Sequence, residues 1–270
     1  MQGSLGEKLG EGAFADVHAW APGQVVKLFK AGVPRRNGAY EAYVTRAVFA
    51  GGVPAPEVFG EVTLEQRFGI VLGRLDGPTL LQHYKSGAVT FEQAGAILAS
   101  LVMSVHKTPP PPEVPFLRDY VHGSLRHHGD TFPNDIPTRI LARIDRLRPG
   151  DGLCHGDPHP DNVIMTAEGP RLIDWISAVR APAAFDLAYI HVSLTELAPE
   201  IADNPERPRA VHRAAQSEYA RLAGTSVAAL AAAMDPYRPI ARALIVCGNA
   251  LPALRERLIQ RIEAELRDDR

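Results

Sequence analysis

The sequence predicts an α+β fold of two unequal lobes, and three observations lead there. The first seventy-odd residues alternate apolar and polar positions between tight turns, a glycine–proline break falls at 73–78, and beyond Thr90 apolar residues recur at helical spacing around one polar loop. Element by element, LGEGAFADVHAW carries glycines at Gly10 and Gly12 and then alternates through Ala13, Ala15 and Val17. After the turn Ala21-Pro22-Gly23, QVVKLFK at 24–30 reads as a second strand. Residues 38–50 change period: Tyr40, Tyr43, Val44, Ala47 and Val48 trace one face of a helix that Gly51-Gly52 ends. VFGEVTLEQRFGIVLGRL supplies two more strands around a turn at Glu65-Gln66. Thr90-Phe91-Glu92-Gln93 has capping-box spacing and starts a helix reaching about His106. Pro109 to Pro112 forms a stiff connector, and 135–149 is a second amphipathic helix. Strands return between 150 and 176 around HGDPHPDN, and helices follow over about 184–197, 206–223, 237–249 and 252–267. Two regions result: 1–75 and 76–270.

Composition narrows the function. The 270 residues carry 29 Lys plus Arg against 31 Asp plus Glu, a net charge of −2, which argues against a surface that coats nucleic acid. Cys154 and Cys247 are too few for a disulfide scaffold and fit a reducing compartment. The opening MQGSLGEKLG lacks a secretion signal, and no apolar run approaches the roughly 20 residues of a membrane span. A cytoplasmic globule with no nucleic-acid or membrane partner is expected.

The densest polar segment is Leu153 to Asn162, flanked by apolar residues. Val163-Ile164-Met165 and Leu172-Ile173 read as a buried hairpin, which brings Asn162 and Asp174 to the same end. An amide oxygen and a carboxylate meeting there suit a hard cation such as Mg²⁺. Asp157, five residues before Asn162, lies far enough round the loop to orient an incoming hydroxyl. In the first lobe, Gly10-Glu11-Gly12 leaves backbone open to phosphates. Lys27 sits between Val26 and Leu28, and a buried ammonium requires an anion, for which Glu41 is the candidate. Lys30 reads as a solvated charge. Neither a dinucleotide fingerprint nor a GxxxxGK[ST] loop occurs. Zinc is disfavoured because adjacent Cys154 and His155 diverge in an extended segment. Arg126, His127 and His128 read as a solvated loop, Trp175 as core beneath the polar loop, and the carboxyl-terminal RERLIQRIEAELRDDR as a surface helix.

Together, Gly10–Val17, Lys27, Glu41, His155-Gly156-Asp157…Asn162 and Ile173-Asp174-Trp175 resemble the aminoglycoside phosphotransferase and choline kinase group, whose fold is similar to that of protein kinases. The resemblance runs in order over nearly the whole chain. It implies a protein-kinase-like bilobal fold that binds ATP and Mg²⁺ and phosphorylates a hydroxyl of a small molecule. By position, Gly10, Gly12 and Val17 would cover the nucleotide, with Ala15 where many relatives have glycine. Adenine would meet the hinge backbone around Leu72, Gly73 and Leu75. Lys27 would hold the phosphates and Glu41 would orient it. Asp157 would receive or orient the hydroxyl proton, Asn162 and Asp174 would bind Mg²⁺, His155 would brace the loop, and Asp186 would hold it from beneath. Aminoglycoside, choline, amino alcohol, sugar and homoserine-like acceptors all remain open, as does a nucleotide-binding scaffold without catalysis. A scaffold has no physical need for Lys27, Asp157, Asn162 and Asp174 together. Two departures bear on the acceptor. Ile176 to Pro182 puts Arg180 where the family's common pattern has an acid nearby, so a positive charge beside the site is expected. From 181 to 250 seven acids face six arginines, a poor match for a polycation. Assembly state is left open.

Overall fold

The computed structural model describes residues 5–133, 135–248 and 252–267. Its first lobe is a five-stranded antiparallel sheet of β1 (Lys8–Glu11), β2 (Ala15–Ala21), β3 (Gln24–Phe29), β4 (Val58–Leu64) and β5 (Arg67–Gly73), in the order β1-β2-β3-β5-β4. Helix α1 (Arg35–Ala50) packs on one face. Alternation sends Ala15, Phe29, Phe68 and Ile70 to that face, where they bury around Ala42 of α1. The β4–β5 turn has positive φ at both Glu65 and Gln66 (49° and 63°), the backbone twist that a two-residue hairpin favours.

The larger lobe opens with α2 (Leu80–Ser86), α3 (Phe91–His106), α4 (Leu117–His128) and α5 (Ile136–Arg146). Short strands β6 (Gly152–Cys154), β7 (Val163–Thr166), β8 (Gly169–Leu172) and β9 (Val179–Ala181) follow, with β6 paired to β9 and β7 to β8. The chain ends in α6 (Ala184–Val192), α7 (Ala198–Ile201), α8 (Glu206–Ala223), α9 (Val227–Met234), α10 (Arg238–Cys247) and α11 (Pro252–Arg267), with a π-helical turn at Ser193–Leu197. The capping box at Thr90 forms as its spacing predicts, and a second one forms at Thr79. Helices α2, α4 and α9 were not anticipated. Arg126, His127 and His128 are corrected from loop to the last turn of α4. Residue 249, the expected end of the penultimate helix, lies outside the described residues, as do 268–270. Among the described residues no helix is long and apolar enough to cross a membrane.

Helix α1 belongs to both lobes: while Ala42 faces the sheet, Val44 and Val48 enter the core of the helical lobe. Ile176 returns the contact by packing against the sheet-side cluster. Polar bonds reinforce the junction, from Tyr40 Oη to the Ala178 carbonyl (2.7 Å) and from Leu172 N–H to the Pro54 carbonyl (2.7 Å). The connecting segment is pinned too. Met165 N–H donates to Pro78, Thr79 Oγ1 donates to Asp161 (2.8 Å), and Gly77 passes so close to Met165 that a Cβ would lie 1.9 Å from its carbonyl oxygen.

Candidate active site

Strand register lines up the residues expected on the nucleotide side. Gly10 is opposite Val17, Val17 opposite Lys27 and Lys27 opposite Ile70, a row across four strands. A Cβ on Gly10 would meet nothing nearer than 3.9 Å, so the surface above it is open. Leu72 and Gly73 end β5, where Gly73 N–H donates to Glu57, and Leu75 lies half-buried in the connector.

Lys27 Nζ meets Glu41 Oε1 at 2.7 Å and Asp174 Oδ1 at 3.0 Å, so one ammonium joins sheet, helix and the loop of the other lobe. Glu41 is fully buried, and its Oε2 has no hydrogen-bond partner. Burial pushes its carboxyl up to about 7, with the Asp174 charge adding to the rise and Lys27 opposing it. Burial would also raise Asp174, but the Lys27 ammonium outweighs it and holds that carboxyl below its ordinary value. One cation thus serves two carboxylates, and the more exposed one keeps the charge.

The opposite wall is a rigid turn. Gly156 has φ +84°, and a Cβ there would sit 2.0 Å from the Ser177 carbonyl oxygen, so only glycine fits. His155 is completely buried. Its Nε2–H donates to the Ile173 carbonyl (3.0 Å), its Nδ1 accepts from Asp157 N–H (3.2 Å), and its ring stands edge-on to Trp175. Burial lowers its pKa, which keeps the imidazole neutral. The arrangement braces the loop and leaves neither ring nitrogen for substrate. Asp186, buried at the start of α6, accepts from His155 N–H (2.8 Å) and Gly156 N–H (2.9 Å). Asn162 Nδ2 donates to the Asp157 carbonyl (3.0 Å), turning its amide oxygen away from that bond. Asn162 and Asp174 flank the β7–β8 hairpin, whose register continues in a bond from Ile173 N–H to the Asn162 carbonyl (2.9 Å). Asp174 adopts a left-handed backbone (φ 67°), a local strain in a non-glycine residue.

Asp157 keeps its carboxylate partly exposed, 3.5 Å from His159 Nε2. Burial works against charge on His159, but the neighbouring Asp157 wins and raises its pKa. Tyr120 and Tyr189, whose hydroxyls burial raises above their ordinary range, also feel the Asp157 charge. Those two tyrosines, and His159 as the partner of Asp157, escaped the sequence reading. Arg180 is a correction: its guanidinium turns from the site to the carbonyls of Pro111 (3.0 Å), Pro112 (2.9 Å) and Val114 (3.0 Å), and pairs with Asp151. It staples the proline connector to β9.

The phosphotransferase enzyme family model matches residues 14–224. Comparison with curated proteins finds no match. Solved structures share the fold. An aminoglycoside-3'-phosphotransferase of type VIII is 22% identical, with a TM-score of 0.56 over 87% of this chain and 93% of that one. Choline kinase from Cryptosporidium parvum is 14% identical, with a TM-score of 0.60 over 97% and 88% of the two chains. An aminoglycoside phosphotransferase from Streptomyces rimosus is 19% identical, with a TM-score of 0.56 over 86% and 92%.

Proposed function

The chain belongs to the phosphotransferase enzyme family, and on that premise we propose that it transfers the γ-phosphoryl group of ATP to a hydroxyl of a small molecule at the junction of its lobes. The observation that carries this reading is Lys27 shared between Glu41 and Asp174, across from the loop that holds Asp157. In the proposed roles, Gly10, Gly12 and Val17 cover the nucleotide, and Leu72, Gly73 and Leu75 line its base. Glu41 holds the Lys27 ammonium toward the phosphates. The donors fit Mg²⁺: the Asp174 carboxylate and the Asn162 amide oxygen are hard ligands, and the bond from Asn162 Nδ2 to Asp157 orients that amide. When bound, the metal supplies positive charge to the phosphate oxygens. Asp157 orients the attacking hydroxyl and takes its proton, and His155 and Asp186 keep the loop in place. Most of the rate gain is then positioning and electrostatics.

Ion pairing favours an acceptor of low charge. Six of the seven acids between 181 and 250 are engaged: Asp186 is spent on the loop, Glu196 pairs with Arg242 and Arg261, Glu200 with Arg257, Glu206 with Arg209 and Arg213, Glu218 with Arg221, and Asp235 with Arg238, while Asp203 is exposed. Tyr120 and Tyr189 beside Asp157 suit a neutral or singly charged alcohol, such as a sugar or amino alcohol, better than an aminoglycoside polycation. The test is ADP release measured over a panel of neutral, monoamine and polyamine alcohols. Acceptor-dependent ADP release is expected, strongest for the first two groups. No ADP release with any acceptor, in a protein that still binds Mg-ATP, would favour the non-catalytic scaffold.

A further inference from the structure

The backbone of the polar loop is braced from beneath, but the Asp157 carboxylate takes its direction from two side chains that brace does not use. His159 is the first. Pro160 keeps the residue before it extended, and His159 adopts φ −112° and ψ 161°. Its N–H donates to the Asp157 carbonyl (3.0 Å), and its own carbonyl accepts from Asn162 N–H (2.9 Å). So held, its Nε2 lies 3.5 Å from Asp157 Oδ1. Asp161 and Asp174 also act on this imidazole. Thr79 Oγ1 occupies Asp161 (2.8 Å) and Lys27 occupies Asp174 (3.0 Å), which leaves Asp157 to pair with it.

Tyr189 is the second. It follows Asp186 by three residues on α6, so the two side chains share a helix face. Asp186 already bonds the amides of His155 and Gly156, and the same face presents Tyr189 to the next residue of the loop. Phe185, one turn earlier, meets the Tyr189 ring edge-on at 6.5 Å and sets its plane. The Tyr189 hydroxyl donates to the Asp157 carboxylate. Burial first, and then the charge of that carboxylate, push the hydroxyl far above its ordinary range and keep its proton in place.

We propose that Tyr189 and His159 are positioning residues that hold the Asp157 carboxylate between them. The proposal rests on the functional reading in taking Asp157 to receive the acceptor hydroxyl. An ionised carboxylate offers about four lone-pair sites, so two partners leave room for that hydroxyl. What they remove is rotation of the side chain. One donor comes from the loop and the other from α6, so both are needed to fix its direction. In a loose phosphoryl transfer alignment of the nucleophile carries much of the effect, and a carboxylate free to turn would lose it.

Two measurements on the full chain test this, and the first needs no substrate. With tyrosine carrying carbon-13 at ring Cζ, the resonance that disappears in Tyr189→Phe is expected to move in Asp157→Ala, while that of Tyr219, which is bonded to His106, stays. A Tyr189 resonance indifferent to Asp157→Ala would remove the bond and the proposal with it. The second measurement is steady-state kinetics with an acceptor from the panel. Tyr189→Phe and His159→Ala are each expected to lower kcat about tenfold, the scale of one hydrogen bond to a charged group, with the KM for ATP nearly unchanged. His159→Gln, which restores an N–H donor, is expected to recover most of that loss. Placed in Asp157→Ala, Tyr189→Phe is expected to cost little further, because the pair acts as a unit. A tenfold loss that persists in that background, a KM for ATP that rises as much as kcat falls, or no recovery with glutamine would reduce both side chains to packing. A wild type that turns over no acceptor would refute the functional reading alone, and the Tyr189 resonance would still decide whether the carboxylate is held.

Discussion

Two carboxylates are sealed into this protein, and they are treated in opposite ways. Asp186 is fully buried and accepts three hydrogen bonds, two from backbone and one from His106. Glu41 is as deeply buried but has a single partner, Lys27, which it shares with Asp174, and one of its oxygens has none. Satisfied buried charge rigidifies, whereas partly satisfied buried charge is easily redistributed. The side of the site formed by the Asp157 loop is therefore built to stay still. On the Lys27 side the charges are short of partners, and the proposed polyphosphate and cation would rearrange them. This contrast predicts different consequences for damage on the two sides.

The largest effect belongs to the rigid side. Asp186→Ala strips two buried backbone N–H groups and His106 of their acceptor at once, so a loss of about 3–5 kcal/mol or outright failure to fold is expected in urea denaturation. A stable, well-folded Asp186→Ala protein would erase the distinction between the two sites.

Asp157→Asn should then separate chemistry from architecture. The side chain keeps its size and loses its basicity, so turnover is expected to fall by roughly 10²–10⁴ with ATP affinity and melting temperature nearly unchanged. Steady-state kinetics at saturating ATP, with an acceptor supplied by the panel, decide it. Near-normal turnover would move the proton-accepting role elsewhere.

On the open side, Lys27→Ala is expected to weaken ATP binding by at least tenfold and adenosine binding little, because in the proposed role the ammonium meets phosphate and not base. Calorimetry with both ligands measures the ratio. Equal losses would mean that Lys27 holds the lobes together and does not read phosphate.

The contrast also marks what sequence can and cannot reveal. Lys27 between Val26 and Leu28, the glycine–Asp loop and the hairpin ending at Asp174 are local patterns, and the fold brings Lys27 to 3.0 Å from Asp174 at the end of that hairpin. Thr90 announced its helix through a four-residue motif, and Thr79 carried the same signal in Thr79 and Gln82 without being read. The contacts of His106 had no local signature: it lies 80 residues from Asp186 and 113 from Tyr219, so only packing of α3 on α8 and α6 joins them. Arg180 was misjudged for a related reason. Its neighbours in sequence flank the site, but β9 pairs with β6 and turns its side chain to the proline connector.

The smallest effect sharpens the comparison most. Glu41 sits at about 7 when folded against an ordinary 4.5, so folding draws a proton onto it in the interval between. For an acid raised in this way, the unfolded chain binds fewer protons than the native one across that window. Stability is then fully present below pH 4.5 and falls as pH climbs through 7, the reverse of a salt-bridged surface acid. Glu41→Gln removes the titration while keeping shape, so the difference between the two proteins isolates this group from every other. Between pH 5 and 8 wild type is expected to lose on the order of 2–3 kcal/mol relative to the glutamine variant, about 1.4 kcal/mol for each unit of displacement within the window. Denaturation curves at four pH values in the absence of nucleotide measure it. A gap that stays flat would mean that Lys27 keeps Glu41 ionised throughout, and both buried carboxylates would then be equally settled.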